Sequence, residues 1–156
     1  VEAGSTFVSV NWEEADSGNH WDMHNNNFGM CRNLVPTLDQ IASALILDLE
    51  ERGLLDSTLV IVMGEMGRTP RVNARGGRDH WPQCGFALLA GGGTQRGFVL
   101  GRTDEQAAYP VDRPVSAGDL AATIYALLGI EQSVPDLSGR PIYIAHGGAP
   151  ISEIMA

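Results

Sequence analysis

The sequence predicts an α/β layered fold, in which helices cover a partly parallel sheet within a single domain over residues 1–156. Two continuous apolar runs, "TLVIVMG" (58–64) and "GFALLAGGG" (85–93), are typical of strands buried on both faces. Two segments with helical periodicity and helix-end signals alternate with these strands along the chain. The length of 156 residues fits one domain with a core of useful size.

The first half of the chain begins with a predicted strand, "TFVSVNW" (6–12), which is rich in β-branched and aromatic residues. A long polar loop is predicted over 13–35. The first helix is predicted over 36–53, where a proline and a Thr37-x-x-Gln40 capping box precede leucines at helical spacing, and a glycine ends the segment.

The second half contains the other predicted helix, over 116–129, where Ser116 caps and Asp119 completes the capping pattern. A short strand or hairpin arm is predicted over 97–101, and a last strand over 140–145. The strand order therefore alternates with helices, as in layered α/β folds.

Composition excludes several classes of protein. The formal net charge of -9 makes nucleic acid and anionic membrane surfaces poor partners, and no apolar run approaches the roughly 18 residues of a membrane span. Cys31 and Cys84 allow at most one disulfide and no zinc ribbon, because neither stands in a CxxC pair. The opening "VEAGSTFVSV" carries no initiator Met or signal peptide, so we expect the C-terminal portion of a longer chain.

Two long loops, 13–35 and 64–82, follow predicted strands at the edge where α/β sheets bind ligands. Loops of this length without secondary structure are usually functional or disordered. The first contains His20, Asp22 and His24, whose alternate spacing lets all three face one ion in an extended segment. Imidazole and carboxylate suit zinc and related metals. The alternative is a solvated loop with incidental histidines.

The second loop, "GEMGRTPRVNARGGRDHWP", places Glu65 directly after a buried strand and Asp79 and His80 at its far end. It also concentrates positive charge in an acidic protein. Guanidinium groups match phosphate or sulfate oxygens with paired hydrogen bonds. The alternative is that these guanidinium groups pair with nearby carboxylates or coat a flexible flap. The loop contains four arginines: Arg68, Arg71, Arg75 and Arg78.

The segments "WDMHNNNF", "GEMGRTPRVN" and "GRDHWP", followed in order by "GRTDE", "DRPVSAGDLAATIYALLGI" and "GRPI", resemble a bacterial family known only as domain of unknown function 1501. That family is grouped with the alkaline phosphatase and sulfatase superfamily. The resemblance implies the C-terminal part of a three-layer α/β/α sandwich with a mostly parallel sheet. It also implies export to the periplasm or the cell exterior.

In that superfamily, metal ligands occur in a fixed order. Asp22 and His24 match the first group, Glu65 stands where an Asp-His pair begins, and His80 matches the last position. Met66 replaces the histidine expected after Glu65, so one ligand of a second metal is missing. The resemblance also implies that the nucleophile lies outside this chain.

The resemblance therefore implies a metal-dependent hydrolase that acts on a phosphate or sulfate ester of a small molecule or glycan. Asp22, His24, Glu65 and His80 would hold a divalent metal, with zinc first and calcium, magnesium or manganese as alternatives. The metal would polarise the ester. Residues expected around the metal are Arg68 and Arg78 on the anion, and His20 and Asp79 orienting the ligands.

Two alternatives remain open at this stage. One is a non-catalytic binding or structural protein on the same fold, with a decayed or structural metal site. The other is an unrelated metallohydrolase in which His20 is a direct ligand. A partner chain that carries the missing N-terminal half, or homo-oligomerisation, is also expected, because exposed strand edges favour association.

Overall fold

The computed structural model of the protein describes residues 1–12, 21–145 and 147–156. Within these ranges the chain forms two α-helices, α1 (Asn27–Glu51) and α2 (Ala117–Leu127). The eight strands are short: β1 (Val60–Met63), β2 (Gly67–Arg68), β3 (His80–Trp81), β4 (Ala87–Ala90), β5 (Arg102–Thr103), β6 (Pro110–Asp112), β7 (Ser133–Pro135) and β8 (Pro141–Tyr143).

The strands pair as four antiparallel two-stranded sheets, β1 with β4, β2 with β3, β5 with β6 and β7 with β8. The predicted three-layer α/β/α sandwich with a mostly parallel sheet is therefore wrong. Parallel pairing needs a crossover connection, usually a helix. The chain between β1 and β4 instead turns back on itself through β2 and β3. The prediction that the two apolar runs are strands buried on both faces is also wrong, because Met63 and Leu88 are exposed.

Helix α1 begins at Asn27 and not at residue 36, so part of the predicted loop 13–35 is helical and Pro36 lies inside the helix. An internal proline removes a hydrogen bond and costs about 3 kcal/mol. Asn27 and Leu34, which precede the proline in the helix, are both buried. Thr37 is consequently no cap, and its hydroxyl donates to the carbonyl of Asn33.

Helix α2 confirms the prediction over 116–129. Ser116 and Asp119 form the complete capping box, and an Asp119 carboxylate oxygen also accepts from the backbone N–H of Ala149. Two predicted strands are wrong, since residues 6–12 form no regular structure and 97–101 lies just before the β5–β6 hairpin. Tertiary contacts decide these segments, whereas the helix α2 is fixed by its own sequence.

Buried apolar side chains are few in the described ranges, and no helix there is both long and apolar enough to cross a membrane. The core consists of Met23, Leu34, Leu49, Leu55, Ala122, Ala145 and Ile151. Many large apolar side chains face outward instead. Examples are Phe7, Val8, Val10, Ile41, Leu45, Leu47, Met63, Phe86 and Leu88.

Candidate metal centre

The pairing of β2 with β3 sets two candidate site residues next to each other. Arg68 is the direct cross-strand partner of His80, and Gly67 is the partner of Trp81. Gly67 is required here, because a Cβ atom would collide with the carbonyl of Cys84. Directly opposed residues on antiparallel strands have Cβ atoms about 4.5–5.5 Å apart, so Arg68 and His80 reach the same neighbour.

The segment before α1 docks along the end of loop 64–82. The Arg78 N–H donates to the Met23 carbonyl over 2.9 Å, and the Asn27 N–H donates to the Gly76 carbonyl over 2.9 Å. Gly77 lies so close to the backbone of His24 that any Cβ atom would overlap it. Main-chain contacts thus join the two loops that the sequence predicts to carry the site.

The docking brings Asp22, His24 and His80 together. Their ligand atoms all lie within 4.8 Å of one another. The Nε2 atoms of both imidazoles approach the same Asp22 oxygen, Oδ1, at 3.1 Å from His24 and 2.9 Å from His80. We refer to these three residues as the ligand cluster.

The two nitrogen-to-oxygen distances within the ligand cluster are close to those of a zinc site. Zinc bonds to nitrogen and oxygen are about 2.0–2.2 Å long, so tetrahedral ligands lie about 3.3–3.5 Å from each other. The two nitrogen-to-oxygen distances are slightly shorter, which a small outward movement corrects. Two imidazoles and one carboxylate also match the donor set of catalytic zinc, in which a fourth position stays open. The residues present therefore fit a divalent metal.

Asp79 orients one of these imidazoles. Its carboxylate Oδ1 lies 2.8 Å from His24 Nδ1, and because a carboxylate only accepts, His24 Nδ1 carries the proton. The His24 ring then points Nε2 toward Asp22 Oδ1. The hydrogen bond from His24, followed by one from Asn73, holds the pKa of Asp79 below its ordinary value. Carboxylate–histidine pairs of this kind fix ligand orientation in zinc proteins.

Arg68 supplies the positive charge beside the cluster. Its guanidinium forms an ion pair with Asp22 Oδ1, and this contact, with the His80 hydrogen bond, lowers the pKa of Asp22 to about 2. Asp22 is consequently ionised at neutral pH. The Arg68 side chain is 22% exposed, whereas that of Asp22 is 52% exposed. The cluster is therefore open to solvent on the side of the carboxylate.

The remaining predicted site residues lie farther from the cluster or perform other tasks. Glu65 is not among the grouped ligands; its side chain is 70% exposed and lies 4.0 Å from Arg68. Arg78 donates through Nη1 to the carbonyls of Thr69 and Pro70 over 2.6 and 2.7 Å. It therefore closes its own loop. His20, predicted near the metal, lies outside the described residues.

Cys31 and Cys84 are both free thiols. The Cys31 sulfur lies 3.6 Å from the Met23 sulfur. His146, which the sequence places near the C-terminus, lies outside the described residues.

The sequence did not predict two residues of the site, Asn73 and Gly77. Asn73 follows "RTPRV" and precedes "ARGG", a composition typical of a turn in which an asparagine side chain accepts from the backbone two residues on. That signal predicts the turn but not the partner across the loop. Gly77 has the same limitation, because its need for glycine arises from His24, which is distant in sequence.

The comparisons with known proteins agree with the resemblance of the sequence motifs. The family model described as "Protein of unknown function (DUF1501)" matches residues 1–155. No curated protein matches the chain, and neither does any solved structure. Since the match covers nearly every residue, the chain belongs to the DUF1501 family of proteins of unknown function.

Proposed function

We propose that the protein is a metal-dependent hydrolase that acts on a phosphate or sulfate ester, with one divalent metal held by Asp22, His24 and His80. The observation that carries the proposal is the convergence of two Nε2 atoms on one carboxylate oxygen, with Asp79 orienting His24 from behind. Three protein ligands and an open fourth position are the pattern of catalytic zinc; structural zinc is usually enclosed by four.

Different residues of the chain would have different roles in cleaving such an ester. A bound divalent metal supplies Lewis acidity, which polarises the ester oxygen and stabilises developing negative charge. Asp22, His24 and His80 would hold the metal, and Asp79 would keep His24 in the tautomer that binds it. The order of these Asp and His residues, which resembles that of alkaline phosphatases and sulfatases, also supports the proposal.

Arg68 is the proposed anion contact. In the structure its guanidinium pairs with Asp22, and a bound divalent metal would neutralise the negative charge of that carboxylate. The guanidinium is then free to donate paired hydrogen bonds to a phosphate or sulfate group. Arg78 is less suited to this role, since Nη1 is committed to two backbone carbonyls.

The proposal is tested by calorimetric titration of metal-free protein with Zn²⁺, Mn²⁺, Mg²⁺ and Ca²⁺, alongside assays of p-nitrophenyl phosphate and p-nitrophenyl sulfate. We expect about one equivalent of metal per chain, and metal-dependent cleavage of either ester would support the hydrolase further. His24→Ala and His80→Ala should weaken binding by more than the roughly 10- to 100-fold typical of residues behind the ligands. Glu65→Gln determines whether Glu65 is a fourth ligand.

The matched control for Asp22→Asn is Asp56→Asn. Asp56 also faces an arginine, at 3.9 Å from Arg96, but its side chain is almost fully exposed. Metal affinity should fall for Asp22→Asn alone. If the parent protein takes up no metal, or takes it up equally in all the ligand variants, the hydrolase proposal is wrong.

A second candidate is a non-catalytic binding protein in which the cluster is structural. The ion pair of Arg68 with Asp22 favours it, because this pair already balances the carboxylate without any metal. The two candidates differ in one result. Metal uptake that raises the unfolding temperature, without any gain in affinity for phosphate or sulfate, supports the non-catalytic protein, in which the cluster is structural.

We also propose that the protein associates, with a second copy of this chain or with a companion chain. Large apolar side chains lie exposed among the described residues, including Phe7, Val10, Phe86 and Leu88, and exposed apolar patches mark association surfaces. Sedimentation velocity at micromolar concentration should show association; a single monomeric species without a companion chain would contradict it.

A further inference from the structure

Every hydrogen-bonding atom of the Asn73 side chain has a partner, and the amide nitrogen connects the two loops of the site. The amide Nδ2 donates to the His24 carbonyl over 3.1 Å and to Asp79 Oδ1 over 3.2 Å. The amide Oδ1 accepts from the backbone N–H groups of Arg75 at 2.9 Å and Gly77 at 3.0 Å. The acceptor half shapes a turn within one loop, and the donor half reaches the metal centre.

The Asn73 amide nitrogen donates to a carboxylate oxygen of Asp79 that also accepts a hydrogen bond from His24. Asp79 Oδ1 receives both the Asn73 amide and His24 Nδ1, while the Asp79 N–H donates to the Thr69 hydroxyl over 3.1 Å. Asn73 also binds the His24 main chain, so it restrains His24 at its backbone and, through Asp79, at its ring. No other described side chain donates a hydrogen bond to both residues.

We propose that Asn73 is a positioning residue, which fixes Asp79 against His24 Nδ1 and so aims His24 Nε2 at the metal. The inference rests on the proposed metal site for its functional meaning. Its structural content, that Asn73 sets the orientation and tautomer of His24, is independent of any bound metal.

Asn73→Asp separates the two halves of the side chain. The new carboxylate still accepts from Arg75 and Gly77, since aspartate forms the same turn as asparagine. It loses the two donors and sets negative charge against Asp79. The matched control is Asn33→Asp, which makes the same charge change at an exposed position on α1.

The first readout is the pair of ¹⁵N chemical shifts of the His24 ring in metal-free protein. We expect Asn73→Asp to move these shifts away from the Nδ1-protonated pattern, with Asn33→Asp unchanged. The second is Zn²⁺ affinity, which should fall about 10- to 100-fold, as when residues behind zinc ligands are replaced. If Asn73→Asp fails to fold, Asn73→Ser serves, because its shorter hydroxyl supports the turn but cannot reach both partners.

Parental ¹⁵N shifts and parental zinc affinity in a folded Asn73 variant would overturn the inference and leave the proposed function intact. If the parent protein binds no zinc, the proposed function fails, and the ¹⁵N shifts alone decide the role of Asn73. Shifted ring signals would still support it in that case, and unchanged signals would refute it.

Discussion

The two ends of α1 are held in different ways. They lie about 33 Å apart between Asn27 and Leu49 at 1.5 Å per residue. At the site end, the Asn27 N–H donates to the Gly76 carbonyl, and polar contacts join the helix start to a distant loop. At the far end, Leu49 and Leu55 are buried a few residues apart in sequence. Main-chain hydrogen bonds to a distant loop hold one end, whereas the other end combines buried leucines with exposed ion pairs such as that of Glu50 with Arg96.

This difference explains how the site is ordered although few apolar side chains are buried in the described residues. The ligand cluster gains its geometry from hydrogen bonds and from the close approach of Gly77 to His24, which need little apolar burial. The rest of the fold depends on a few buried side chains. We therefore expect changes at one end of α1 to affect metal binding, and changes at the other to affect global stability.

Leu49→Ala should have the largest effect on stability. Removing a buried leucine side chain typically costs about 2–5 kcal/mol, and Leu49 is 6% exposed. Denaturant unfolding should show this loss, with zinc affinity unchanged in the protein that remains folded. Leu45→Ala is the control, because Leu45 is on the same helix but 46% exposed. Equal losses in both variants would contradict burial at the far end.

Gly77→Ala should have the next largest effect, and at the opposite end. The added Cβ overlaps the His24 backbone, and overpacking of this kind typically costs about 1–3 kcal/mol. Unlike Leu49→Ala, it should weaken zinc binding as well. Gly64→Ala is the control, because its Cβ would meet its nearest neighbour at 3.7 Å. The two ends are far apart, so the Leu49 and Gly77 effects should add within about 0.5 kcal/mol.

Ser116→Ala should produce a smaller change, confined to α2. The Ser116 hydroxyl accepts from the Asp119 N–H over 3.0 Å, and loss of such a cap costs about 0.5–2 kcal/mol. Thermal unfolding should report the loss, while zinc affinity stays at the parental value. A fall in zinc affinity would show that the site depends on α2 as well as on α1.

The smallest expected effect is a pH dependence from Asp22. Arg68 and His80 hold the pKa of Asp22 at about 2, below the ordinary carboxyl value of about 3.9. Because the folded pKa is the lower one, the contribution to the free energy of unfolding is present above about pH 4 and is lost as the pH falls toward 2. Asp22→Asn should remove this part of the slope in urea unfolding between pH 4 and pH 2. A parental slope in that variant would contradict the Asp22 contacts.

Sequence predicted the features that depend on neighbouring residues. The capped helix α2 and the spacing of Asp22 and His24 are of this kind, and the structure groups those two ligands with His80. It failed where partners are distant in the chain. The antiparallel pairing of β1 with β4 depends on the path of the intervening loop, which apolar composition does not encode.

The N-terminal end of α1 shows the same limit. Pro36 and the Thr37 capping pattern indicate a helix start, but contacts from Asn27 to Gly76 extend the helix to an earlier residue. Helix propensity is a weak prior that tertiary contacts override. The sequence did not predict the roles of Asn73 and Gly77 for this reason, since both contact His24 from the other loop.

X-ray absorption at the zinc edge of the zinc-loaded protein would show whether Asp22, His24 and His80 bind one metal. We expect two imidazole nitrogens and at least one oxygen at about 2.0–2.2 Å, with one imidazole lost in His24→Ala and one in His80→Ala. A zinc environment without imidazole, or one that neither variant alters, would contradict it.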